Sequence, residues 1–99
     1  MMEFEWSEKK RQENIKKRGI DFAALLPLFT DPDTIILKDG REEYGEERFI
    51  LFGYIRSKLF QVGFTERGQR VRIFTARRAN ERERRLYERC RRDRGRTDL

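Results

Sequence analysis

The chain has 99 residues, 42% of them charged and 36% hydrophobic, with a net charge of +6, one cysteine and no histidine. That length suits one domain burying about two-thirds of its unfolded surface; the lone cysteine excludes an internal disulfide framework and fits a reducing cytoplasm, and the missing histidines argue against a zinc site. No apolar run approaches the roughly 20 residues of a membrane span, and the N-terminus carries no signal-peptide pattern, so no membrane partner is expected.

Residues 2–6 alternate and predict a short strand with Phe4 and Trp6 on one face, Trp6 reading as a core anchor. Ser7 suits the N-cap of a helix over residues 8–18, and Gly19 its C′ position. That helix is mostly polar, so much of it faces water or a ligand. Asp21 caps a second, strongly apolar helix over residues 22–29, where Pro27 forces a bend or an early end near Leu26. Asp31-Pro32-Asp33 is a turn.

From Thr34 the hydrophobic period changes to that of strands. Four are expected, at residues 34–38, 48–55, 59–65 and 70–76. They are separated by a polar loop containing Asp39-Gly40 and Tyr44-Gly45, by Arg56-Ser57-Lys58, and by Glu66-Arg67-Gly68-Gln69. Phe49, Leu51 and Ile55 point to one side of the second strand and Ile50, Phe52 and Tyr54 to the other, which makes it central. Short connections predict an antiparallel meander of about four strands.

The last helix starts at Asn80, with Glu83 completing a capping box. Leu86, Tyr87 and Cys90 give it a narrow apolar stripe, in which Tyr87 is core with a wet hydroxyl and Cys90 a small apolar filler. Pairs such as Glu81–Arg85, Arg84–Glu88 and Glu88–Arg92 each add about 0.2–0.5 kcal/mol in an isolated helix. Fraying is expected beyond Asp93, giving one domain over residues 1–93 and a flexible tail over 94–99. Strand, two helices, sheet and helix in that order make an α+β fold.

The charge is unevenly placed. Residues 1–65 carry 11 Lys+Arg against 12 Asp+Glu, a net −1; residues 66–99 carry 13 against 6, a net +7, and every base there is arginine. Such asymmetry points to a polyanion or an acidic protein partner. Within it, Arg77 and Arg78 fall where the last strand meets the last helix, and two fixed guanidiniums there make a phosphate site. Alternation along a regular strand sends Arg77 to one face and Arg78, together with Arg72, to the other. One of the pair is then structural, for example paired to Glu5 or Glu46. Basic groups beside aromatics on a sheet also match how RNA-binding sheets hold phosphates and stack unpaired bases, although most of the phenylalanines belong to the core. There is no Ser-His-Asp set, no phosphate-binding glycine loop, no nucleotide fingerprint and no metal-ligand cluster, and no cofactor is expected.

The run Phe4-Glu5-Trp6-Ser7-Glu8-Lys9-Lys10, then Asn14, Lys17 and Gly19-Ile20-Asp21-Phe22, resembles the opening of BrnT toxins. The same order continues through Phe29, Asp31-Pro32, Tyr44-Gly45-Glu46-Glu47-Arg48 and Phe64-Thr65-Glu66-Arg67-Gly68. It closes with Arg72-Ile73, Ala76-Arg77-Arg78-Ala79, Glu83-Arg84 and Tyr87, so the resemblance spans residues 3–87. It implies a RelE-like fold and a metal-independent endoribonuclease that inhibits translation and growth. It also implies neutralisation by a BrnA-like ribbon-helix-helix antitoxin, with operator DNA bound only through that complex. One departure stands out: these toxins commonly have a histidine before the helix-ending glycine, where this chain has Arg18.

On that reading a ribose 2′-OH attacks the adjacent phosphate. Arg77 and Arg78 are the first choice for the phosphorane, with Arg72 beside them, and Glu66 is the candidate base. Lys9, Lys16, Lys17, Arg18, Arg67 and Arg70 are candidates for the RNA backbone, and Tyr54 and Tyr87 for stacking on a base. Two other functions fit the same residues: a nucleic-acid-binding domain without catalysis, and a co-repressor subunit of an antitoxin complex.

Overall fold

The computed structural model describes residues 2–40 and 45–96. In chain order they form β1 (Glu3–Glu5), α1 (Glu8–Arg18), a 3-10 helix (Phe22–Thr30), β2 (Ile35–Asp39), β3 (Arg48–Ile55), β4 (Lys58–Arg67), β5 (Arg70–Arg78) and α2 (Glu81–Arg96). Tyr44 and residues 97–99 lie outside the described residues, and α2 itself runs three residues past Asp93.

The strands form one sheet in the order β1-β5-β4-β3-β2. β2 to β5 are the expected antiparallel meander, but the sheet has five strands and is mixed. β1 joins its edge parallel to β5, with Glu3, Phe4 and Glu5 opposite Arg70, Val71 and Arg72. The chain returns from β1 through α1, which leaves β1 free to lie beside a strand formed much later.

The helix ends follow local chemistry. Ser7 Oγ accepts the Lys10 N–H at 3.3 Å, and Gly19 at φ +68° donates its N–H to the Ile15 carbonyl at 2.8 Å. Asp21 accepts the Ala23 N–H at 3.0 Å and takes the Arg11 guanidinium in a two-bond fork, both bonds 2.8 Å long. The apolar helix that follows is not the α-helix expected with a bend near Leu26; it is 3-10 throughout, from Phe22 to Thr30. Pro27 removes a backbone donor, and Phe22, Leu25 and Leu28 recur every three residues, the period of a 3-10 turn, so one edge of the helix is buried.

That edge packs on one face of the sheet. Phe22, Leu25 and Leu28 join Leu51, Val62, Phe64, Val71, Ile73 and Ala76 in one cluster, with Phe4, Trp6, Phe29, Phe49 and Phe60 around it. Full burial of each large side chain here contributes about 1.5–3 kcal/mol. Gly53 permits the approach: a Cβ there would lie 2.7 Å from Leu28 Cδ2 and 2.9 Å from Thr34 Oγ1. Helix α2 packs on the other face, where Tyr87, Leu86 and Cys90 meet Ile35, Phe52, Leu59 and Tyr54. Cys90 is the apolar filler expected. The Tyr87 ring is core as expected, and its hydroxyl donates to the Asp33 carbonyl at 2.8 Å. Among the described residues no helix is long and apolar enough to cross a membrane.

Helix α2 covers only the part of its face built from β2, β3 and the start of β4. The rest of that face, across β4 and β5, is open.

Candidate nucleic-acid interface

The open face owes its residues to a break in register. Between β4 and β5, Phe64 pairs with Ile73 but Gly63 pairs with Thr75, so Phe74 is an extra residue in β5. Such a bulge shifts the two-residue alternation by one. Val71 and Ile73 point to the helix-covered core before it, and Ala76 does so after it. Arg72, Thr75 and Arg77 therefore share the open face, and Arg78 lies with Ala76 on the opposite one. A regular strand would have put Arg78, not Arg77, on Arg72's side. Strand β5 also runs to Arg78 instead of ending at Ala76, so both arginines are within the ladder.

Arg78 is exposed and its guanidinium lies 5.8 Å from the Phe60 ring, on the far side. Arg77 is half-buried and forks onto Glu83 with two bonds of 2.8 Å. Glu83 also accepts from Gln61 Nε2 at 3.2 Å and from the Asn80 N–H at 2.9 Å, while its own N–H donates to Asn80 Oδ1 at 2.8 Å. The capping box expected from the sequence is thus also the clamp of Arg77. The fork holds the Glu83 carboxyl below the usual range and raises Arg77, so both remain charged. Glu5 pairs with Arg72 at 3.5 Å and Glu46 with Arg67 at 2.7 Å; neither serves the Arg77–Arg78 pair.

Three grooves meet on this face. The first, about 290 Å³, is lined by Arg48, Gln61, Gly63, Phe74, Thr75 and Arg77. The second, about 400 Å³, holds Lys10, Glu46, Arg48, Arg67, Arg72 and Phe74. The third, about 180 Å³, takes Lys10, Asn14, Lys17, Arg18, Phe74 and Thr75, bringing the end of α1 to the sheet. Arg18 reaches across with Nη1, 3.2 Å from Asn14 Oδ1, 3.4 Å from Thr75 Oγ1 and 3.5 Å from the Ala76 carbonyl. Its guanidinium therefore bridges α1 to β5.

Of the residues singled out in the sequence, Arg72, Arg77, Arg67, Lys17 and Arg18 adjoin these grooves. The others do not. Glu66 sits opposite Val71 at the hairpin end of β4, in a separate depression with Met2 and Arg70, so it is not brought to Arg72 or Arg77. Arg70 pairs with Glu3 at 3.3 Å. Lys16 lies with Glu13 and Lys17 on the outer side of α1, and Lys9 is exposed and lines none of the three grooves. Tyr54 packs edge-on against Tyr87, ring centroids 5.4 Å apart, under α2. Sequence reasoning passed over Arg48, Gln61, Lys10 and Phe74. A trace of the bulge was there: apolar positions 71 and 73 give way to 76.

This arrangement gathers guanidiniums and the ammoniums of Lys10 and Lys17, in excess over the carboxylates of Glu13, Asp39 and Glu46, along an open surface suited to a phosphodiester backbone. A family model described as ribonuclease toxin, BrnT, of type II toxin-antitoxin system matches residues 6–83 of the chain. No curated protein matches it.

Proposed function

Because the chain belongs to the BrnT family of ribonuclease toxins of type II toxin-antitoxin systems, which implies an RNA substrate and an antitoxin partner, we propose that it cuts RNA on the open sheet face that carries Arg72 and Arg77. The reaction is attack of a ribose 2′-oxygen on the adjacent phosphorus. The new O2′–P bond forms as the P–O5′ bond breaks; the 2′-OH gives up a proton and the departing 5′-oxygen takes one. The products are a 2′,3′-cyclic phosphate and a 5′-OH.

The observation that supports this reading is the shared face of Arg72 and Arg77, with Arg48 between their grooves. Guanidiniums placed where phosphorane charge develops stabilise it more than the ground state, and they supply that charge without a metal ion. Glu83 acts as a positioning residue: its fork fixes the plane of Arg77, and Gln61 braces the carboxylate. Its lowered pKa keeps it ionised, so it orients better than it stores a proton.

The antitoxin in this reading is a BrnA-like ribbon-helix-helix protein that covers the arginine face and carries the operator contacts. The test is cleavage of a defined RNA by the purified protein, with and without EDTA, followed by end-group analysis. Cyclic-phosphate ends and EDTA resistance are the expected result; loss of activity on chelation refutes the metal-free mechanism.

A second reading, RNA binding or co-repression without catalysis, draws on Arg18. A guanidinium does not give up its proton near neutral pH as an imidazole does. A wild-type protein that binds RNA but leaves it intact would favour it.

A further inference from the structure

Seven of the eight phenylalanines belong to the two core clusters or pack against them; Phe74 alone does not. It is half-buried, it is the extra residue of the bulge, and it borders all three grooves of the open face. The Arg48 guanidinium carbon lies 4.5 Å from its ring centroid, and Lys10 Nζ lies 6.0 Å from it. Gly63 makes room beneath: a Cβ there would stand 2.6 Å from Thr75 Cγ2 and 2.9 Å from Phe74 Cε2. A large ring is thus kept out of the core, held down on a strand, and ringed by cations.

The half-buried ring keeps part of its surface toward solvent, and the neighbouring cations are drawn to its π-face. Such a ring matches what an unpaired base needs. Every base has a π-face, and both aromatic rings and guanidinium planes accept it by stacking. Arginines on either side, Arg77 in one groove and Arg72 with Arg67 in the other, are placed for the phosphates flanking a base seated between them. A paired base has its faces covered by neighbours and cannot reach such a platform.

We infer that Phe74 and Arg48 form a stacking platform that seats one unpaired base of the RNA between the Arg77 and Arg72 grooves, making single-stranded RNA the substrate. This rests on the ribonuclease reading above and adds the strand state of the substrate and a residue that reads it.

The test uses the purified full-length protein and a short single-stranded RNA carrying 2′-O-methyl groups and one 2-aminopurine, which cannot be cut at the 2′-oxygen. Affinity is measured for wild type, Phe74→Leu and Phe74→Trp, with thermal melts of each. Phe74→Leu is expected to bind roughly 10- to 100-fold more weakly, and Phe74→Trp to bind within a few-fold of wild type. In Phe74→Trp the new indole emission should fall on binding, a change the wild-type Trp6 does not show. A duplex of the same sequence should bind more weakly than the single strand. If folded Phe74→Leu binds as tightly as wild type, or the indole emission is unmoved with RNA bound, the platform is overturned. Cleavage of unmodified RNA by wild type, followed in parallel, then still supports the ribonuclease reading. If wild type neither binds nor cuts RNA, both fall together.

Discussion

Arg77 and Glu83 face each other across the junction between β5 and α2, joined by two parallel bonds of 2.8 Å. The pair fastens the last helix to the sheet, because Glu83 is also the residue that closes the helix's capping box. One carboxylate therefore serves the fold and the candidate site together.

Glu83→Ala should separate those roles badly and Glu83→Gln should separate them well. Alanine removes the carboxylate half of the capping box and the partner of Arg77, at a cost of about 1–3 kcal/mol in urea unfolding. Glutamine keeps the capping geometry but gives a less stable fork, so cleavage should drop while most stability remains. Because the folded pKa of Glu83 is lowered, its contribution is present above the ordinary carboxylate range and is lost as pH falls through the lower folded value. Stability of wild type should therefore decline below about pH 4 more steeply than that of Glu83→Gln.

The bulge divides the arginines. Arg77→Ala and Arg72→Ala should each lower the cleavage rate of a defined RNA by about 10²- to 10³-fold, the scale of losing one preorganised donor at a transition state. Arg78→Ala should stay within a few-fold of wild type. A gel-based time course decides it: if Arg78→Ala is the more damaging change, the open face is not the site.

Asp21 is expected to govern acid stability at the other end of the molecule. Its carboxyl is pulled down to about 2, chiefly by the bond from Arg11 and also by the Ala23 N–H. A depressed folded pKa means the stabilisation is complete above pH 4 or so and fades as pH approaches 2. Asp21→Ala should cost about 1–2 kcal/mol at neutral pH, the scale of a lost N-cap, and Asp21→Asn less. Melting curves between pH 2 and 5 should show a shallower acid slope in both variants.

Two backbone positions should respond in opposite directions. Arg56, at φ +59° in the β3–β4 hairpin, is a non-glycine residue in left-handed geometry. Arg56→Gly should raise stability by about 1 kcal/mol through relief of that conformation. Gly53→Ala should lower it by about 1–3 kcal/mol, since the added methyl meets Leu28 and Thr34 in a packed core. Chemical denaturation of the two variants tests both.

Much of this architecture was legible because local chemistry decides it. Ser7, Gly19 and Asp21 cap where their side chains and backbone freedom say they should, Asn80 and Glu83 make the box, and the two hairpins fall at their turn residues. What escaped depends on partners distant in sequence. The parallel seat of β1 is fixed by Val71 and its neighbours, and nothing in residues 2–6 names them. The 3-10 form of residues 22–30 comes from fitting a three-residue repeat onto Gly53 and Leu51. At the site, the arginine-rich β5 and its likeness to a ribonuclease toxin could be read directly. Which arginine faces the substrate could not, because a single inserted residue, Phe74, reverses every side chain after it.

The parallel pairing of β1 with β5 also orders events in time. Residues 3–5 are made well before their hydrogen-bonding partners, residues 70–72. Until residues 70–72 have been added, the first strand has no ladder to join, and Glu5 has no Arg72. Late, long-range closure of this kind is slow. In a member of a ribonuclease-toxin family, that delay separates making the chain from completing the sheet that carries Arg72 and Arg77.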